Sequence, residues 1–111
     1  MPGPYVLQLS QNKQFYFNLR AGNNEIILTS ETYTTKSAAQ NGIQSVRRNS
    51  PSDERYKRRT SSDGKHYFVL VALNNEVIGT SELYSLQQAM ENGIQSVKEN
   101  GPTAEVIDRT Q

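Results

Sequence analysis

A chain of 111 residues and 12.5 kDa has the length of one ordinary domain, too short for two independent cores. Its 12 Lys and Arg against 11 Asp and Glu give a formal charge of +1, too weak a field to draw the whole molecule to nucleic acid or anionic lipid. No Cys is present and only one His, which excludes disulfides, thiolate metal sites and a Cys nucleophile and leaves little for metal or general-base chemistry.

From the start of the chain, Met1-Pro2-Gly3-Pro4 lacks both the basic start and the apolar stretch of a secretory signal, so a cytosolic location is expected. Tyr5, Leu7 and Leu9 alternate with Val6 and Gln8 as in a half-buried strand, and Phe15, Phe17 and Leu19 do the same against Tyr16, Asn18 and Arg20. Asn23-Asn24 suits a hairpin, since Asn tolerates positive φ, and leads into a third strand over Glu25–Glu31. The period then changes. Ala39, Ile43 and Val46 stand at i, i+4 and i+7, one stripe of an amphipathic helix. Thr34 is the expected cap at its start, and Asn49-Ser50-Pro51 marks its end, with Asn turning left-handed.

The same text then recurs. Shifted by 51 residues, Phe15–Pro51 aligns with His66–Pro102, and 21 of the 37 positions are identical without a gap. Two copies are too few for a stacked solenoid and point to a closed, pseudo-symmetric domain. The second copy opens at Arg55–Thr60, where Tyr56 aligns with Tyr5. Ser62-Asp63-Gly64 reads as a three-residue hairpin loop ending in a left-handed Gly, a register that pairs Tyr56 with Leu70 and Arg59 with Tyr67. A strand over His66–Ala72, a turn at Asn74-Asn75 and a strand over Glu76–Glu82 follow. Ser85 with Gln88 is the expected capping box of the second helix, Met90, Ile94 and Val97 are its stripe, and Asn100-Gly101-Pro102 ends it. Glu105-Val106-Ile107 is a last short strand. Because Arg55–Thr60 also follows the first helix, it is expected to close the first copy while opening the second. That makes seven strands and two helices. The longest apolar run, Phe68–Leu73, is strand-sized and far short of the ~20 residues of a membrane helix. Gly42 and Gly93 lie inside the helices beside the apolar stripes, at a cost of ~1 kcal/mol relative to Ala, and close backbone packing is the expected reason.

Thr-Ser-Glu-x-Tyr ahead of a helix carrying Gly-Ile-x-Ser-Val-x-x-Asn, complete in both copies, resembles the YegP-like family of small bacterial proteins of unknown function. The resemblance runs from about Tyr5 to Ile107 and implies an α+β fold. In it, two tandem β3-α-β repeats form one antiparallel sheet of about seven strands, with exchanged end strands and both helices on one face about a pseudo-two-fold. It implies a single domain over residues 1–111 built of repeats at about 5–54 and 55–108, and a monomer that mimics a homodimer of single-copy relatives. No accepted activity comes with it, so no catalytic residue carries over. Lys36 becomes Gln87 in the second copy, so a site built on that Lys is not symmetric.

Candidate chemistry is sparse. His66 aligns with Phe15 and reads as a strand-end packing residue. Glu31 and Glu82 suit the dipole at the helix starts better than a paired metal or acid–base site. Glu25 and Glu76 read as solvated hairpin ends, and Tyr33 and Tyr84 as packing residues with hydroxyls bonded near the helix starts. No residue stands out for catalysis, cofactor binding or metal ligation: no phosphate loop, nucleophile motif or dinucleotide fingerprint is written here. The one unrepeated feature is charge. Arg47–Lys65 holds seven basic residues against three acidic, a net +4, and the remainder holds five against eight, −3. Tyr16, Lys57, Arg59 and Tyr67 are the candidate binding face, set against the plainer reading that a strand rich in Lys and Arg is a solvated surface or a guard against edge pairing. The expectation is a non-catalytic interaction or scaffold module meeting a protein partner through its open sheet face; the alternative is weak nucleic-acid binding through that same basic, aromatic face. Arg58 takes the inward position of Leu7, so either its stem packs and its guanidinium reaches solvent or the register fails there.

Overall fold

In the computed structural model, which describes residues 3–110, the repeated text folds into repeated architecture. The first copy supplies β1 (Tyr5–Leu9), β2 (Phe15–Arg20), β3 (Ile26–Ser30) and α1 (Lys36–Asn49). After a 3-10 turn at Asp53–Arg55, the second supplies β4 (Tyr56–Thr60), β5 (His66–Val71), β6 (Val77–Thr80), α2 (Gln87–Asn100) and β7 (Val106–Asp108). All seven strands join one sheet in the order β4-β5-β6-β3-β2-β1-β7, with both helices on one face. The expected register holds, with Tyr56 opposite Leu70 and Arg59 opposite Tyr67. The sheet is mixed rather than wholly antiparallel. β7 returns from the helix layer at the end where β1 begins, so Tyr5 N–H donates to Glu105 O at 2.8 Å and the two strands run parallel.

The turn chemistry is as the residues dictate: Asn24 and Asn75 take φ of 71° and 68°, and Gly64 takes 84°. Lys13, the mate of Gly64 in the first copy, adopts φ 64° without being Gly. The helix ends differ from expectation. Backbone bridges from Phe15 to Tyr33 and from His66 to Tyr84 keep the chain extended one residue further than the cap signals suggest. Thr35 therefore caps α1, its Oγ1 accepting from Ala38 N–H at 3.1 Å. Leu86 stands at the same place before α2 with no side-chain cap, and Gln88 turns to Asn92 instead of reaching back. Neither helix closes left-handed: Ser50 and Gly101 remain in the right-handed region, while Asn49 and Asn100 fold back to donate to the carbonyls of Ser45 and Ser96.

The two copies meet across a pseudo-dyad between β3 and β6, where Thr29 faces Thr80. One row of side chains crosses every strand on the helix-free face: Lys57, Val69, Thr80, Thr29, Asn18, Val6 and Ile107. On the other face a single core gathers Phe17, Leu19, Ile43 and Val46 with Phe68, Leu70, Ile94 and Val97. Bulges in the β2–β3 and β5–β6 ladders let the adjacent Ile27 and Leu28, and likewise Ile78, all join that core. At the dyad the symmetry is deliberately uneven: a Cβ on Gly79 would lie 2.8 Å from Leu28 Cγ, so Leu28 fills the volume its own mate leaves empty. The copies are also tied crosswise. Tyr5 Oη donates to Gly101 O at 2.6 Å and Tyr56 Oη to Ser50 O at 2.7 Å. Arg47 lies over the Tyr5 ring and donates to Ala104 O, and its mate Lys98 lies over Tyr56 and reaches Asp53, the mate of Ala104.

Arg55–Thr60, expected to close the first copy while opening the second, does only the latter. β4 pairs only with β5, as the opening strand of the second copy. Its mate β1 has β2 on one side and β7 on the other. The connector after α1 leads directly into β4, and no other strand among the described residues flanks its outer edge.

Candidate functional site

The basic segment is not uniformly available. Arg47 is held against Tyr5 and Ala104, and Arg55 donates to Ala72 O at 3.2 Å. Arg58 settles its earlier ambiguity: the register is right, and on the helix side its guanidinium meets Glu91 of α2 at 2.6 Å and Asp53 at 3.2 Å. That pairing pulls the Glu91 carboxyl below its ordinary range, and Lys98 with Arg58 does the same for Asp53. Arg48, Lys57, Arg59 and Lys65 remain exposed without an ion-pair partner among the described residues.

Lys57 and Arg59 stand on the helix-free face beside Val69 and Tyr67, so three of the four candidate residues form one cluster at the β4 edge. Tyr16 is on the same face but not in the cluster. It is the dyad mate of Tyr67, opposite Gln8, whose Oε1 its hydroxyl approaches at 3.4 Å. β2 and β5 run in opposite directions with β3 and β6 between them, so strand spacing and rise set the two tyrosines roughly 19 Å apart. They offer two separate rings rather than one stacking surface. At the far end of β2, Arg20 folds back on its own strand and hairpin, its Nε donating to Asn18 Oδ1 at 3.0 Å and its Nη1 to Asn24 Oδ1 at 3.2 Å.

His66, Tyr33 and Tyr84 take part in the fold. His66 exchanges backbone hydrogen bonds with Tyr84, each 2.7 Å, as Phe15 does with Tyr33. The Tyr33 and Tyr84 rings lie over Gly42 and Gly93 rather than at the helix starts; a Cβ at Gly42 would be 2.5 Å from Tyr33 Oη and one at Gly93 2.6 Å from Tyr84 Oη. Burial, then Glu31, then Glu76 of the other copy raise the Tyr33 phenol, and burial, Glu82 and Glu25 do so for Tyr84. Glu31 and Glu82 are exposed, and among the described residues no group of three His, Asp or Glu side chains is placed to hold a metal.

A cleft of about 470 Å³ opens where the C-terminal end of α1 meets the 3-10 turn and the β5–β6 hairpin, with Arg48, Asn49, Arg55 and Leu73 in its wall. Its counterpart around Asn100 is filled by the start of the chain, where Gly3 N–H donates to Asn100 Oδ1 at 2.9 Å.

A family model described as a domain of unknown function, DUF1508, matches residues 10–56 and again 61–108. The chain belongs to the DUF1508 family. A UPF0339 protein of Bordetella pertussis is 55% identical over all of this chain and 99% of its own length, and the UPF0339 protein YegP of Escherichia coli is 52% identical over 99% of this chain and all of its own. The solution NMR structure of the E. coli YegP, a protein of unknown function, superposes with a TM-score of 0.94 over 99% of this chain and 95% of that one, at 52% identity. A UPF0339 protein of Shewanella oneidensis, also solved by NMR, gives 0.93 over 99% and 93%, at 53%. The recognised motif of the DUF1508 copies is a folding device: Ser30 Oγ accepts Phe17 N–H at 2.9 Å and donates to Glu31 O, Ser81 repeats this with Phe68 and Glu82, and the following Tyr covers the helix Gly. The sequence marks the two Ser only by repeating them within Thr-Ser-Glu-x-Tyr at the end of each third strand; the bonds to Phe17 and Phe68 join positions 13 residues apart and are visible only in the fold. The two DUF1508 matches leave 57–60, nearly all of β4, between them.

Proposed function

We propose that the chain is a non-catalytic interaction module of the cytosol, a monomer that uses the helix-free side of its sheet near β4 to dock a protein partner. What supports this reading is the gathering of Lys57 and Arg59 beside Tyr67 on an uncovered surface, while Arg47, Arg55 and Arg58 of the same basic segment are committed to internal contacts. None of the described helices is long and apolar enough to cross a membrane, which suits a module of this kind. Affinity capture from native lysate with nuclease added, using wild type and the Lys57→Glu/Arg59→Glu variant, tests it. The reading expects a protein retained by wild type and released by the double charge reversal; an identical catch for both overturns it.

A nucleic-acid reading draws on the same cluster, since a ring beside a guanidinium can stack a base and hold a phosphate. The ~19 Å between Tyr16 and Tyr67 weakens it by denying a run of stacked bases a continuous platform. Titration with single-stranded oligonucleotides separates the two readings: phosphate-driven binding weakens steeply between 50 and 200 mM salt, as its slope follows the number of phosphates contacted.

A further inference from the structure

We infer that the outer edge of β4 is an acceptor for an eighth strand, supplied by an acidic, extended segment of another protein and lying parallel to β4. The inference rests on the interaction-module reading and specifies its partner by chemistry.

The vacancy follows from the broken symmetry. Six strands, β4-β5-β6 and β3-β2-β1, are related by the pseudo-dyad, and β7 adds a seventh on the β1 side alone. The bonds to β7 define what the β4 side lacks: Tyr5 N–H donates to Glu105 O, and Leu7 O accepts Arg109 N–H at 2.8 Å. Residues 5 and 7 therefore turn their backbone groups outward while Val6 and Gln8 serve β2. By the repeat, Tyr56, Arg58 and Thr60 face outward while Lys57 and Arg59 serve β5. Tyr56 N–H is already taken by Asp53 O of the 3-10 turn, which blocks one end of the lane. The carbonyls of Tyr56 and Arg58 and the N–H groups of Arg58 and Thr60 remain, enough for about four residues of an added strand.

The side chains state which strand fits. On the helix-free face the lane is flanked by Lys57 and Arg59, both exposed and unpaired among the described residues, so acidic residues at alternate positions of the incoming strand meet them. On the helix side Arg58 is already balanced by Glu91 and Asp53, so that side asks for uncharged residues. A second copy of this chain pairing β4 with β4 about a two-fold would set Lys57, Arg58 and Arg59 against themselves, and like charges opposite one another disfavour that dimer. The orientation follows the internal precedent: β7 runs parallel to β1, and β4 is the mate of β1.

The test uses the full chain and a capped synthetic octapeptide of alternating Glu and Val, followed by amide NMR. The inference expects saturable shifts at Tyr56–Thr60, and slowed exchange of the Arg58 and Thr60 amides. A spin label at the peptide's N-terminal end should broaden Tyr56, and one at its C-terminal end the 61–65 hairpin. Thr60→Pro removes one outward N–H without touching the β5 ladder and should reduce affinity at least tenfold with the melting temperature retained; Lys57→Glu/Arg59→Glu should abolish binding, and a Lys/Val peptide should not bind. Shifts confined to Tyr67 and Val69 that survive Thr60→Pro would overturn strand addition while keeping a face-docking module. Absence of any shift with the Glu/Val peptide at millimolar concentration overturns the inference, and the lysate capture above then judges the broader reading alone.

Discussion

Gly42 and Gly93 show how much a single residue decides in this chain. Each would carry its Cβ to about 2.5–2.6 Å from a tyrosine hydroxyl held between strand and helix, so the helix can seat on the sheet only with hydrogen at that position. Gly42→Leu and Gly93→Leu are each expected to lower stability by roughly 1–3 kcal/mol through overpacking, measured by denaturant or thermal melts. Part of the loss in Gly42→Ala should return when Tyr33→Phe removes the Oη nearest the new methyl, and a double-mutant cycle with no coupling would contradict the packing account. Ser30 works through hydrogen bonding: Ser30→Ala leaves Phe17 N–H buried without its acceptor and is expected to cost about 1–3 kcal/mol, with Ser81→Ala matching it in the second copy. Equal losses at the two sites are the signature of a duplicated device.

At the scale of elements, the strands were the most readable part. Period-two alternation places Phe17 and Leu19 inward, the repeat carries that assignment to Phe68 and Leu70 within an unbroken apolar run, and Ser62-Asp63-Gly64 fixes the β4–β5 register to the residue. Helix starts were less readable: Thr34 and Ser85 have the residue type of a cap, but the long-range bridge at Tyr33 and Tyr84, which sequence distance hides, moves each start one residue on, to Thr35 and Leu86. The parallel attachment of β7 and the Arg58–Glu91 pair were hidden for the same reason, since each joins positions many residues apart. Of the candidate site, the cluster of Lys57, Arg59 and Tyr67 follows from register alone, whereas the distance to Tyr16 depends on strand order. β7 is pinned to α1 by the ion pair of Lys36 with Asp108, whose carboxyl is held down to about 2 by Lys36 and Thr110. A carboxyl with its folded value depressed below the ordinary 3.8 contributes stability above that pH, lost as pH falls towards 2. Wild type should therefore lose more melting temperature between pH 5 and pH 2 than Lys36→Met, and identical slopes would deny the pair that role. The phenols of Tyr5 and Tyr56 are raised, chiefly by burial, so their contribution holds below pH 10 and is lost as pH rises above it. Tyr56→Phe should soften that alkaline loss while costing about 1 kcal/mol at neutral pH, from the bond to Ser50 O.

The molecule as a whole is one sheet and one core made by two copies that cannot be cleanly parted, because Tyr5 is anchored on the helix end of the second copy and Ala104 on Arg47 of the first. Its unfolding should be a single two-state transition with calorimetric and van't Hoff enthalpies equal, whereas two resolved transitions would mean separable halves. The strand order of the two copies is symmetric except at the sheet ends, where β1 is flanked by β7 and β4 is not. Amide hydrogen exchange at the dyad-related pair Leu7 and Arg58 tests it most directly. With β7 on the outer side of β1 and no strand among the described residues on the outer side of β4, Leu7 N–H should be protected by Ile107 O while Arg58 N–H exchanges near the rate of a free chain. Equal protection at both would contradict the account, because it would mean that the lane outside β4 is already filled.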